Sequence, residues 1–88
     1  MAEPVPPRRV AGLPVVASIA LPDDPPAATD VFVVITRDDA RPLAAAYTVH
    51  CTYRNARDGS LVWESAPYGL PWDAALDLLI SRVRHLSA

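Results

Sequence analysis

The segment Asp30 to Thr36 (DVFVVIT) constrains this chain more than any other. It is β-branched and aromatic almost throughout, which favours a strand. Successive side chains of a strand point to opposite faces, so Val31, Val33 and Ile35 share one face and Phe32 and Val34 the other. Both faces are apolar. A strand with one wet face would alternate, so this one belongs at the centre of a sheet covered on both sides.

The flanking segments supply the sheet. Val15 to Leu21 (VVASIAL) reads as a strand ended by Pro22, and Asp23 to Thr29 (DDPPAAT) as a loop. Arg37 to Pro42 forms a turn. Tyr47 to Arg54 (YTVHCTYR) alternates cleanly, with Tyr47, Val49, Cys51 and Tyr53 on one side. Arg57-Asp58-Gly59 is a hairpin signal for a three-residue loop with Gly59 left-handed. Pairing Ala56 with Ser60 then sets Tyr53 opposite Trp63 and Thr52 opposite Glu64, an aromatic pair that favours this register over a one-residue slip. Leu61 to Ala66 is the last strand.

Pro67 and Gly69 break that strand, and Pro71 suits the first turn of a helix. From there Trp72, Leu76, Leu79, Ile80, Val83 and Leu86 recur at helical spacing. Asp73 and Asp77 come early and Arg82, Arg84 and His85 late, an order that complements the helix dipole. The expected fold is α+β: a three- or four-stranded antiparallel meander with one amphipathic helix, 71–87, on one face. Trp72, Leu76, Ile80 and Val83 are expected to be buried, with Asp73, Asp77 and Arg84 in water.

One domain fits 88 residues, and a chain of this size buries roughly 60–65% of its unfolded surface. Residues 1–14 carry four prolines, Pro4, Pro6, Pro7 and Pro14, and read as an extended arm before a domain at 15–88. Apolar residues make up 51% of the chain, high for so small a domain, which points to apolar surface held against a partner. Every basic residue is arginine and lysine is absent, the usage expected of a GC-rich genome, actinobacterial or phage. Cys51 is the single cysteine and no apolar run approaches a membrane span. Arg8-Arg9 before Val10 to Leu21 imitates a signal peptide, but Pro14 and Asp23-Asp24 interrupt it, so a cytoplasmic protein is expected.

No set of residues calls for catalysis. His50 and Cys51 are adjacent, but neighbours on a strand face opposite ways, and Cys51 reads as a small core residue. His50, Cys51, His85 and the dispersed carboxylates have no metal-ligand spacing. Asp73 and Asp77 lie one helical turn apart and read as a solvated face. Gly12, Gly59 and Gly69 are too scattered for a phosphate-cradling loop. No enzyme, cofactor or metal site is expected.

Basic residues gather at Arg8-Arg9, at Arg54 with Arg57, and at Arg82-Arg84-His85. Three strands and a C-terminal helix, with the turn YRNARDGS, resemble the arm-type DNA-binding domain of tyrosine integrases over about half the chain. That resemblance implies a nucleic-acid-binding module using Arg54, Arg57, Arg82 and Arg84; the acidic balance of −2 departs from such domains, which are basic. The leading expectation is a non-catalytic protein-interaction or structural subunit, or an inhibitor, acting by docking. Its candidate contacts are Phe32 and Val34 on the sheet face left bare by the helix, and a homodimer is the expected assembly. The arm, residues 1–14, is the other candidate lid.

Overall fold

The computed structural model describes residues 5–21, 28–55, 57–65 and 69–87. In chain order they form β1 (Arg9–Val10), β2 (Leu13–Ala20), β3 (Ala28–Arg37), a 3-10 turn (Leu43–Ala45), β4 (Tyr47–Asn55), β5 (Leu61–Ser65) and α1 (Trp72–Ser87). The strands make one antiparallel sheet in the order β1-β2-β3-β4-β5, with β3 in the middle. The α+β class with one helix stands, but the sheet has five strands, not three or four.

The additional strand comes from the proline-rich N-terminus. Val10 pairs with Leu13 and Arg9 with Pro14, around a turn in which Ala11 and Gly12 have φ of 53° and 79°. Two successive positive φ values are those of a type I′ hairpin turn. Val10–Leu13 closes the turn and Val15 N–H donates to the Arg8 carbonyl at 2.9 Å, so hydrogen-bonded positions flank Pro14. Antiparallel ladders alternate bonded and non-bonded pairs. Pro14 falls on a non-bonded one, where its missing N–H matters little. This is how β2 begins at Leu13, ahead of the expected Val15.

Two layers cover β3. On one side Val33, Ile35 and Val49 form a core with Ala75 and Leu79 of α1, flanked by Ala17, Leu21, Tyr47, Leu70, Leu78 and Val83. On the other, Val10 closes over Phe32 and Val34, with Val15 beside them. Phe32 and Val34 are therefore interior residues, 3% and 0% exposed, and not the bare surface expected of them. The reason is geometric: the tight β1–β2 turn brings a 1%-exposed valine onto that face. The chain supplies this part of the lid itself.

The β4–β5 register is the slipped one. Thr52 lies opposite Trp63, Cys51 opposite Glu64 and Tyr53 opposite Val62. Ala56, expected to pair with Ser60, lies outside the described residues; Ser60 pairs with Asn55, whose N–H donates to the Ser60 carbonyl at 2.9 Å. Asn55 and Ser60 thus flank the loop. Side chains drive the change: Asn55 Oδ1 accepts from Arg57 N–H at 2.8 Å, and Asp58 Oδ1 accepts from Ser60 N–H at 2.9 Å and its hydroxyl at 2.6 Å. Gly59 is left-handed as expected, with φ 72°.

Helix α1 is anchored at its start. Tyr47 and Leu70 exchange backbone hydrogen bonds of 3.0 and 2.6 Å, and the Pro71 carbonyl accepts from Ala75 N–H at 2.9 Å. Between them a Cβ at Gly69 would collide with the Ala45 carbonyl, so only glycine allows this approach.

The helix is rotated from the expected orientation. Ala75 and Leu79 are buried and Val83 half-buried, whereas Trp72, Leu76 and Ile80 are 42%, 36% and 41% exposed. The strip of sheet beneath, centred on Val33, Ile35 and Val49, is narrow. The small Ala75 lets the helix come close over it, and the larger side chains swing outward. Asp73, Asp77 and Arg84 are exposed, as expected.

Candidate functional site

Two groupings stand out. The first is polar and interior. Thr36, His50 and Thr52 are all buried on the face away from α1. Thr36 Oγ1 lies 2.7 Å from His50 Nε2, and burial lowers the His50 pKa from its ordinary value. Among the described residues Thr52 Oγ1 has no hydrogen-bond partner. His50 lies opposite Val34 and Cys51 opposite Val33, so the two side chains stand on opposite faces. Burial pushes the Cys51 thiol up, the Glu64 carboxylate adds to the rise, and Arg82 partly offsets it. A thiol so placed is a poor nucleophile. Among the described residues no cluster of histidine, cysteine and carboxylates could hold a metal ion.

The second grouping is apolar and exposed: Trp72, Leu76 and Ile80 on α1. Successive helical residues advance about 100°. Measured from buried Leu79, Leu76 and Ile80 then lie on one flank of α1, and Leu78 and Arg82 on the other. The charge of Arg82 acts on Cys51 of β4, so that flank lies toward β4. The flank of Leu76 and Ile80 therefore overlooks β2. There Ile19, opposite Val33 on the helix side of the sheet, is itself 37% exposed. Trp72 falls at about 20° on the same scale and borders this surface from the buried side, its ring edge-to-face with Tyr47 of β4 at 5.2 Å between centroids. Large apolar side chains are thus carried along one flank of α1 and onto β2.

The four arginines expected at a nucleic-acid interface are exposed but not gathered. Arg54 alternates onto the side away from α1, where its guanidinium donates to the Gly59 carbonyl at 3.2 Å within the hairpin. Arg57 sits in the turn. Arg82 and Arg84 are on α1, on different sides of it. Nor do they join Phe32 and Val34, which lie under Val10.

Sequence reasoning named Trp72, Leu76 and Ile80 but assigned them to the core, and did not find the Thr36–His50 pair or the role of Val10. The alternation of β4 holds a signal for the buried pair: a histidine between two threonines on one face of a strand beside β3. No helix among the described residues is long and apolar enough to cross a membrane. The chain matches no family model, no curated protein and no solved structure.

Proposed function

We propose that this chain is a small non-catalytic docking module, a subunit or inhibitor that works by contact. Its contact surface is the exposed flank of α1, Trp72, Leu76 and Ile80, continued by Ile19. One observation carries the reading: these side chains recur at i, i+4 and i+8, yet Ala75 and Leu79 do the work of holding α1 to the sheet. Apolar side chains aligned on one surface mark an interaction site far better than the same residues scattered singly. A cytoplasmic setting suits the lone, half-buried thiol of Cys51. The test is a photo-crosslinking side chain placed at Ile80, and as a control at exposed Asp39, in cells that express the protein natively. Crosslinks from residue 80 and none from residue 39 are expected. Equal or absent crosslinking at both positions refutes the docking surface.

A further inference from the structure

Resting on that docking reading, we infer that the partner presents an extended strand, which adds to the free edge of β2 with large apolar side chains turned toward Leu76 and Ile80. The edge itself carries the inference. Leu21 N–H donates to the Val31 carbonyl at 2.8 Å, and the β2–β3 register is regular from Ala17 to Ala20. Bonded and non-bonded positions alternate along an antiparallel ladder. Ala17 and Ile19 therefore bond to β3, while Ser18 and Ala20 turn their N–H and C=O groups away from it. β1 pairs with Leu13 and Pro14, and the Arg8 carbonyl accepts from Val15 N–H. Among the described residues, no backbone hydrogen bond reaches Ser18 or Ala20 on that outer side.

A row of unpaired donors and acceptors is a template for another strand, and folded proteins guard it with charge, proline or a bulge. β5, the opposite edge, carries the exposed Glu64. β2 has Pro14 and a bulge between Val15 and Ala17 at its β1 end, but Ala17 to Ala20 holds no charge and no proline. This unguarded stretch is the part that Leu76 and Ile80 overlook, with Ile19 exposed beneath them. The apolar flank and the open ladder thus form one surface. A helix spends its backbone groups on itself and leaves the edge unpaired, whereas an extended strand satisfies both.

A second copy of β2 fits this surface poorly. Strands lie about 4.8 Å apart, and α1 packs over β3 and β4. Pairing two β2 edges would hold the two α1 axes about 19 Å apart, whereas helices in contact lie about 8–10 Å apart. Ala17 and Leu21 are packed in their own core, so Ile19 alone would fill the space between. A foreign strand with a large apolar residue at every second position fills it.

The probe is a capped peptide in which phenylalanine and threonine alternate between two terminal lysines, titrated to about 2 mM into the nitrogen-15-labelled whole chain. Binding should shift the Ser18 and Ala20 amide resonances and slow their hydrogen exchange about fivefold. N-methylation of all the threonines, or of all the phenylalanines, is the decisive comparison. In a ladder only alternate N–H groups face β2, so one set should abolish binding and the other leave it within about threefold. Alanine in place of phenylalanine should weaken binding at least about tenfold. Ser18→Pro removes an outward N–H and no β2–β3 bond, so it should keep the far-ultraviolet circular dichroism and lose the peptide.

No binding at the top of the range overturns strand addition. So does equal sensitivity to the two N-methylated sets, or shifts at Leu61 and Trp63 of β5 in place of those on β2. Ser18 and Ala20 shifts that grow with protein concentration in the absence of peptide put a second copy on the edge and overturn it too. The crosslink from residue 80 separates these failures from that of the docking reading. A crosslinked product without peptide binding leaves docking standing, whereas no product overturns both.

Discussion

The two faces of β3 are covered in different ways. Toward α1 the face is apolar: Val33 and Ile35 meet Ala75 and Leu79, and Val49 of β4 completes the layer. Toward β1 the apolar lid centres on Val10, and the same face buries Thr36, His50 and Thr52 beside Phe32 and Val34. A helix of 16 residues presents several apolar side chains to the sheet. A strand of two residues brings Val10 alone into the core. Where apolar cover is scarce, burial extends to groups that need hydrogen bonds, and the Thr36–His50 contact at 2.7 Å meets part of that need. The helix-covered face should be the stronger, and the strand-covered face the more sensitive to solution conditions.

The largest effect should come from the dry face. Leu79→Ala removes a side chain that is 2% exposed and should lower unfolding stability by about 2–5 kcal/mol, read from urea titration. Leu76→Ala, on the exposed flank of the same helix, should lower it by under about 1 kcal/mol. Equal losses would return the helix to the orientation its spacing first implied.

Next is the lid of the other face. Val10→Ala should lower stability by about 1–3 kcal/mol, because it uncovers Phe32 and Val34 as well as removing buried methyl groups. Proteolysis within residues 5–14 should accelerate with it. A loss near zero would mean that β1 does not hold this face closed.

The smallest effect should be a slope. The folded pKa of His50 lies below its unfolded value of about 6.5, so the unfolded chain takes up the proton first as pH falls. The stability that neutral His50 contributes is fully present above about pH 6.5 and is lost progressively below it, down to the lowered folded pKa. Melting temperature measured from about pH 7.5 to about pH 5 should show this decline. His50→Gln should flatten that part of the curve, whatever it does to the plateau. An unchanged slope would place the titration elsewhere.

The contrast also marks what could be read in advance. The double-sided apolar pattern of Asp30 to Thr36 led directly to a central strand with two covers. Pro71, the helical spacing beyond it and the acid-to-base order led to a helix at 71–87, against Trp72–Ser87 in the structure. What escaped, besides the two-residue β1 in the proline-rich arm, were choices between near-equivalent neighbours. Trp72, Leu76 and Ile80 are bulkier than Ala75 and looked like the core stripe, but how closely a helix can approach a sheet is a property of the assembled pair. Asn55 and Asp58 moved the β4–β5 register by one residue through hydrogen bonds of 2.6–2.9 Å, which strand alternation does not register. The candidate docking flank was hidden by the same error, because its residues had been assigned to the interior.

The sequence by itself determined the strands that became β2 to β5 and the helix α1, that β3 must be covered twice, and that Gly59 adopts a left-handed turn. Each follows from periodicity or from backbone sterics acting within a few residues. Only the tertiary structure decided that β1 closes the second face, that Trp63 stands beside Thr52, and that α1 turns Ala75 and Leu79 inward while Trp72, Leu76 and Ile80 remain outside. Those outcomes depend on contacts between residues far apart in the chain. There, the alternatives differ by one residue of register or a fraction of a helical turn, and packing and hydrogen bonding across elements select among them.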